Sequence, residues 1–223
     1  LGTPNACVNC HDDKTNEWAL QWVNKWYGEK KKSHYGAALA DAADGKPGAD
    51  AALLKVLNSN LYPEIIRATA IVYLSAYQDA KAQDAVRRAL NDPDPLLRHA
   101  AAENYFTSDS AVLFRNLVPL VNDPVKSVRM EAANRLMTYS RSSFNDIQYK
   151  ALQKALDEYR QSLEYVADFP TGRYNLGNYY SKLNNIPKAE ENFREAIAID
   201  NLFFPAKVNL ALLYYQQGKT QQA

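Results

Sequence analysis

The sequence predicts an all-α protein in which helical hairpins stack into an α-solenoid. Three observations support this class. Alanine and leucine are abundant, and no run of alternating β-branched residues indicates a strand. A period of 31 residues runs through the middle of the chain, and a period of 34 residues runs through its last part. Repeats of this length are single hairpins that bury their apolar faces against their neighbours.

The segment from His34 to Tyr62 predicts two short helices ahead of the repeats. The sequences "HYGAALADAADG" and "GADAALLKVLNSN" carry apolar residues at helical spacing, and "GKPG" separates them. We expect this pair to cap the first hairpin.

Three similar segments follow, "IIRATA", "LLRHAA" and "SVRMEA", and each carries an arginine at the same place. These arginines lie 31 residues apart: Arg67, Arg98 and Arg129. The turn sequence "NDP" recurs at 91–93 and 122–124, where the proline ends the outgoing helix. We expect each arginine to reach back to the acidic turn before it. This region, residues 34–145, resembles HEAT-type repeats.

The 34-residue period covers residues 146–223. Leu176, Tyr180 and Ala189 recur as Leu210, Tyr214 and Ala223, and "YNLGNYYSKLNNIPKAEENFREAIAID" resembles a tetratricopeptide repeat. Small residues at Gly177 and Ala189 predict a close crossing of two helices, with Phe193 filling the space beside it. A second copy is truncated, and the helix around Ala155 and Tyr159 would be the second half of a degenerate copy upstream.

The only two cysteines stand in "CVNCH", residues 7–11, and the chain has three histidines in all. Cys-x-x-Cys-His is the attachment sequence for haem c. Two thiols at this spacing add to the haem vinyl groups as thioethers. The following histidine then becomes an axial ligand of the iron. The motif predicts covalent haem attachment at Cys7 and Cys10, with His11 binding the haem iron.

Three other interpretations of this motif stay open. A structural zinc site usually needs four Cys or His ligands in two pairs, and no second pair is present. A thioredoxin-like redox pair expects a preceding strand, which "LGTPNA" does not supply. A disulfide at this spacing would be strained and would not need His11.

His34 is a candidate second axial ligand, to this haem or to another, and the alternative is a helix-start residue. His99 lies in "LLRHAAAE", where repeat packing explains it. Trp18, Trp22 and Trp26 form one stripe along a helix. That stripe is expected to face a core or, alternatively, to place one indole against a porphyrin.

The order of these parts, "TPNACVNCHDDKTNEWALQWVNKWYG", then "HYGAAL", then two kinds of repeat, resembles the C-terminal part of multihaem c-type cytochromes that carry such repeats. The resemblance implies further Cys-x-x-Cys-His motifs upstream, export to the periplasm of a Gram-negative bacterium, and a chain that is one piece of a longer protein. Residues 1–33 would then end a haem-binding region. The haem is absent wherever the attachment machinery is missing.

Composition argues against two kinds of partner. Lys plus Arg total 26 against 25 for Asp plus Glu, so no broad basic face for nucleic acid is expected. No apolar run approaches the roughly 18 residues that span a bilayer.

Three functions remain as hypotheses. The first is electron transfer by a haem c, with redox partner proteins or peptides bound by the solenoid. The second is a pure protein-binding module, whose candidate groove residues are Asn175, Asn178, Lys182, Lys207 and Asn209. Asn178 and Asn209 resemble the asparagines with which some tetratricopeptide domains clamp a peptide carboxylate, although Tyr174 replaces the expected lysine. The third is an oxidoreductase whose active haem lies upstream. No catalytic group is apparent in the sequence itself, so we expect this portion not to be an enzyme.

Overall fold

The computed structural model describes residues 5–28, 34–219 and 221. Within them the backbone forms α-helices and short 3-10 helices, and no strand. The α-helices are α1 (Ala6–Cys10), α2 (Asn16–Tyr27), α3 (Tyr35–Ala43), α4 (Ala49–Leu57), α5 (Glu64–Leu74), α6 (Ala80–Ala89), α7 (Pro95–Asn104), α8 (Ser110–Leu117), α9 (Lys126–Leu136), α10 (Asp146–Tyr165), α11 (Pro170–Lys182), α12 (Ile186–Ile199) and α13 (Phe204–Gln216). A 3-10 helix, Val118–Asn122, continues α8 because Pro119 cannot donate the next helical hydrogen bond.

The helices from α3 to α10 stack as hairpins. The first helices of the hairpins form one row, in which α3 packs against α5, α5 against α7, and α7 against α9. The second helices lie on the other side, with α4 against α6 and the 3-10 helix against α10. The buried residues form one continuous core from Ala38 to Tyr179. The predicted all-α solenoid is therefore confirmed.

Aspartates placed just before helices determine where the hairpins turn. Asp79 accepts hydrogen bonds from the backbone N–H groups at the start of α6, and Asp109 does the same for α8. Asp94 caps α7, whose first residue is Pro95. Such caps each stabilise a helix by about 1 kcal/mol, and proline fits the first helical position because its missing N–H needs no partner there.

The periodic arginines join consecutive hairpins. Arg98 donates to the backbone carbonyls of Asp92 and Pro93 in the turn before it, as its sequence position predicts. Its ion pair, however, is with Asp123 in the turn that follows. The expected contact of Arg98 with the preceding turn is therefore present, and it is made through backbone carbonyl oxygens rather than through a carboxylate.

The 20-residue helix α10 begins where the sequence predicts the second repeat region to begin. It packs against α9 on one side and α11 on the other. Ala155 is fully buried, and the ring of Tyr159 lies 5.7 Å from that of Tyr179. The boundary expected at residue 145 falls at the cap of α10, and the division into two regions there stays a prediction.

The last part of the chain is a close-packed hairpin of α11 and α12, followed by α13 against α12. A Cβ atom built on Gly177 would lie 2.4 Å from Cε1 of Phe193, so only glycine allows this crossing. Ala189 and Phe193 are buried beside it. Ala223, the predicted counterpart of Ala189, lies outside the described residues.

None of the described helices combines the length and the apolar character that crossing a bilayer requires.

Candidate functional site

The amino-terminal motif lies on the short helix α1. The side chain of Asn5 caps this helix by accepting from the Cys7 N–H at 2.9 Å. Helical geometry places Cys7 and Cys10 about one turn apart, and the His11 N–H donates to the Cys7 carbonyl. Neither thiol is in a disulfide; Cys7 is half-buried and Cys10 is exposed. Residues 1–4 and 29–33 of the expected haem-binding region lie outside the described part of the chain.

The imidazole of His11 lies beside the tryptophan stripe of α2. Its centroid is 5.0 Å from that of the Trp18 ring, with the planes tilted by 57°. Trp18 and Trp22 are half-buried, whereas Trp26 is 63% exposed. The expectation that the whole tryptophan stripe faces a core is therefore wrong at Trp26, whose side chain is mostly exposed to solvent.

The donor set suits a covalent haem. Two unpaired thiols about one helical turn apart and an adjacent exposed imidazole are the groups that attachment needs. The described residues contain no cluster of three or more His, Cys, Asp or Glu side chains arranged to hold a metal ion. The haem interpretation and its alternatives stay hypotheses.

The other two histidines have structural contacts. Nδ1 of His34 accepts from the Gly36 N–H at 3.0 Å, so the imidazole caps α3. A neutral imidazole with an accepting Nδ1 carries its proton on Nε2. Binding of iron through Nε2 would therefore require this cap to break. Nδ1 of His99 lies 3.2 Å from the Ser127 carbonyl, between α7 and α9.

The second candidate site lies between α11 and α13. Nδ2 of Asn209 donates to Oδ1 of Asn178 at 2.7 Å and to the hydroxyl of Tyr174 at 3.3 Å. Asn178 and Asn209 line a cavity of about 170 Å³. The structure thus brings together the two asparagines that the sequence singled out.

The remaining predicted groove residues lie elsewhere. Nζ of Lys182 donates to Oδ1 of Asn134 on α9, at 2.9 Å. Nζ of Lys207 lies 5.6 Å from the centroid of the Phe204 ring. Asn175 is half-buried on α11 and does not line the cavity.

Sequence reasoning missed several residues of this site. Ser181, Leu212 and Gln216 line the cavity. Ser181 lies three residues after Asn178, and Leu212 lies three after Asn209, so each shares a helix face with an asparagine. That spacing was a usable signal. The contact between Lys182 and Asn134, neither of which lines the cavity, had no such signal, because it joins residues 48 apart in the sequence.

Comparison with known proteins agrees with this geometry. A model of the tetratricopeptide repeat matches residues 171–201, which cover nearly all of α11 and all of α12. A search of curated proteins and a search of solved structures each found no match to the chain. The chain is therefore a helical-repeat protein that contains a tetratricopeptide repeat.

Proposed function

We propose that this chain is a protein-interaction scaffold, and that its cleft between α11 and α13 binds a stretch of a partner's main chain. The hydrogen bond between Asn178 and Asn209 is the observation that carries the proposal. Such a bond uses one amide N–H and one amide oxygen. Within the described residues, Nδ2 of Asn178 and Oδ1 of Asn209 have no other partner. These groups complement the carbonyl and the N–H of a peptide unit.

The charge of the cleft supports a neutral ligand rather than a terminal carboxylate. The described residues that line the cavity include no lysine or arginine. Lys182 is bound to Asn134, and Tyr174 occupies the position where carboxylate-binding domains carry a lysine. A buried carboxylate without a cation would carry a large desolvation cost. We therefore propose an internal segment of the partner as the ligand.

An apolar stripe on α13 supplies contact area next to the asparagines. Val208, Leu212 and Tyr215 are exposed on this helix, and Leu212 also lines the cavity. Apolar side chains that flank the bound peptide unit would bury this stripe, whereas the amide pair would orient the main chain.

The test is a peptide array in which each sequence is present as a free acid and as a carboxyl-terminal amide. We expect binders rich in apolar residues, and equal signals from the two forms. Asn178→Ala with Asn209→Ala should abolish binding, and Asn201→Ala, an exposed loop residue, is the matched control. Binding that survives the double substitution would overturn the proposal.

A second candidate function is electron transfer by a covalently bound haem c. The unpaired thiols of Cys7 and Cys10 and the exposed imidazole of His11 favour it. In this proposal the two cysteines hold the haem, His11 ligates its iron, and the haem supplies one-electron chemistry. The chain would then be an exported, periplasmic protein with redox partners. No catalytic role is proposed for this portion.

This second proposal is tested by producing the chain with an export signal in a host that attaches haem c. We expect a haem that stays bound after denaturation and a c-type absorption spectrum. Cys7→Ala with Cys10→Ala should abolish both, whereas His99→Ala should not. A colourless product from the unaltered chain would contradict haem attachment.

A further inference from the structure

The first hairpin of the solenoid encloses a cavity of about 510 Å³ between α3, α4 and the turn that follows α4. Small side chains leave this space open, since Ala37, Ala38 and Ala52 line it. The buried side chain of Val56 completes an apolar floor. Cavities of this size are in the range that small molecules occupy in proteins. We call this space the first-hairpin cavity.

Aromatic rings form part of the wall of the first-hairpin cavity. The centroid of the His34 imidazole lies 4.1 Å from that of the Tyr35 ring, and the two planes are tilted by 33°. The Tyr35 ring meets the Tyr62 ring edge to face, with centroids 5.5 Å apart. Both tyrosines are half-buried and pack against the core, which restricts their movement. Aromatic rings beside an apolar floor suit a flat, aromatic ligand.

The polar groups of the cavity favour a negative charge on that ligand. The carboxylate among the described lining residues, Asp41, already accepts from Nζ of Lys46 at 2.7 Å. The side chain of Lys55 is exposed, and its Nζ has no hydrogen-bond or ion-pair partner within the described part of the chain. The hydroxyl groups of Tyr35 and Tyr62 have no partner there either. The lining therefore offers one ammonium without a counter-charge and two further hydrogen-bond donors.

We propose that the first-hairpin cavity binds a small aromatic carboxylate. The ring of the ligand lies against Tyr35, Tyr62 and the alanine side chains, and its carboxylate faces Lys55. His34 can add a hydrogen bond, because its Nδ1 accepts from the Gly36 N–H and a neutral imidazole then has its proton on Nε2. Binding leaves this helix cap intact. Neither the asparagine pair nor the Cys-x-x-Cys-His motif lines the cavity, so this site is independent of both functions proposed above.

The probe is 2-naphthoate, a flat aromatic carboxylate, and 2-naphthalenemethanol is its uncharged analogue. Each is titrated into the full chain labelled with nitrogen-15, and the backbone amide signals are followed by nuclear magnetic resonance. We expect naphthoate to shift the signals of Ala38, Ser59 and Tyr62, which line the cavity, and not that of Leu176 on α11. The alcohol should bind roughly fivefold more weakly, because an ion pair with an exposed ammonium adds only modestly to affinity.

Two substitutions test the charge and the shape of the cavity separately. Lys55→Gln should weaken the binding of naphthoate roughly fivefold and leave the binding of the alcohol unchanged. Ala52→Leu fills the floor and should weaken the binding of both probes by about tenfold or more. Lys81→Gln, which replaces an exposed lysine on α6, is the matched control and should change neither.

Circular dichroism checks that each variant keeps its helices, and Lys55→Gln changes only an exposed side chain. Either of two results would overturn the proposal. One is naphthoate at millimolar concentration that leaves the signals of the cavity unshifted. The other is an affinity for naphthoate that Lys55→Gln does not change.

Discussion

Arg98 on α7 donates two hydrogen bonds to the carboxylate of Asp123, 25 residues later: Nε to Oδ2 at 2.7 Å and Nη2 to Oδ1 at 3.0 Å. Both side chains are largely buried, at 12% and 4% exposure. Arg129 makes the same two-bond link to Glu158, whereas Arg67 donates one hydrogen bond, from Nη2, to Asp92. Each arginine also donates to a backbone carbonyl oxygen that precedes its own helix, at Leu57 for Arg67 and in the preceding turn for Arg98 and Arg129, and it therefore joins one hairpin to the next. These links fix the spacing of the solenoid.

Replacing Arg98 by alanine should destabilise the fold by about 3 to 5 kcal/mol, because Asp123 would stay buried without its partner. Chemical denaturation followed by circular dichroism measures the change. Arg88→Ala removes an exposed ion pair with Asp84 and serves as the control, with a much smaller expected loss of stability because solvent screens this pair. Equal losses in the two variants would contradict a structural role for the arginine row.

The free energy of unfolding should also decrease in acid, because the carboxylates of Asp123 and Glu158 would become protonated. Burial alone would raise the pKa of Asp123, but hydrogen bonds from Arg98 and from the Val125 N–H hold its pKa below the ordinary value. The hydrogen bonds from Arg129 likewise lower the pKa of Glu158. A carboxylate with a lowered folded-state pKa stabilises the protein above its unfolded-state pKa, and this contribution is lost as the pH falls through the folded-state value.

We therefore expect the free energy of unfolding to decrease below about pH 4. Asp123→Asn should be less stable at neutral pH and should lose less on acidification than the unaltered chain. Denaturation midpoints between neutral pH and pH 3 measure both slopes. Parallel slopes would show that Asp123 does not contribute to the acid sensitivity.

The repeat sequence predicted the positions of these arginines but not all of their partners. The "NDP" turns supply Asp92 and Asp123, whereas the third arginine pairs with Glu158 from within α10. No turn of that sequence follows α9, so the period gave no signal for the last acceptor. The sequence also could not predict that each arginine pairs with a carboxylate of the next hairpin rather than with one of the preceding turn. That choice depends on how far one hairpin is displaced along the next.

Gly177→Ala should destabilise the tetratricopeptide hairpin. The added methyl group would lie 2.4 Å from Phe193, and overpacking of this kind costs about 1 to 3 kcal/mol. Thermal unfolding measures the loss. In combination with Phe193→Leu, the cost should be less than the sum of the single costs, because a smaller side chain gives the methyl group room. Strict additivity would indicate that the two residues are not in contact.

Substitutions at His34 can distinguish its two possible roles, as the cap of α3 or as a ligand of a haem iron. His34→Asn retains a side-chain acceptor and should preserve stability, whereas His34→Ala should cost about 1 kcal/mol. In chain that carries haem, the reduced-state spectrum should be the same for His34→Asn and the unaltered protein. A shifted spectrum would contradict the cap and favour the ligand.

The sequence predicted the binding cleft only in part. Asn178 and Asn209 stood out because they resemble the asparagines with which some tetratricopeptide domains bind a peptide carboxylate. Lys182 and Lys207 did not join them, since each long side chain found a nearer partner in Asn134 or the Phe204 ring. A helical pattern determines which face a residue occupies. It does not determine which of several neighbours a flexible side chain contacts.

The most direct test of the scaffold proposal is a nuclear magnetic resonance titration of the chain with a peptide from the array. Asparagine side-chain amides are labelled with nitrogen-15 and followed individually. The proposal predicts that the amide signals of Asn178 and Asn209 shift with the same saturation curve, while that of Asn201 does not move. A peptide that binds and leaves both Asn178 and Asn209 unshifted would contradict the proposed site.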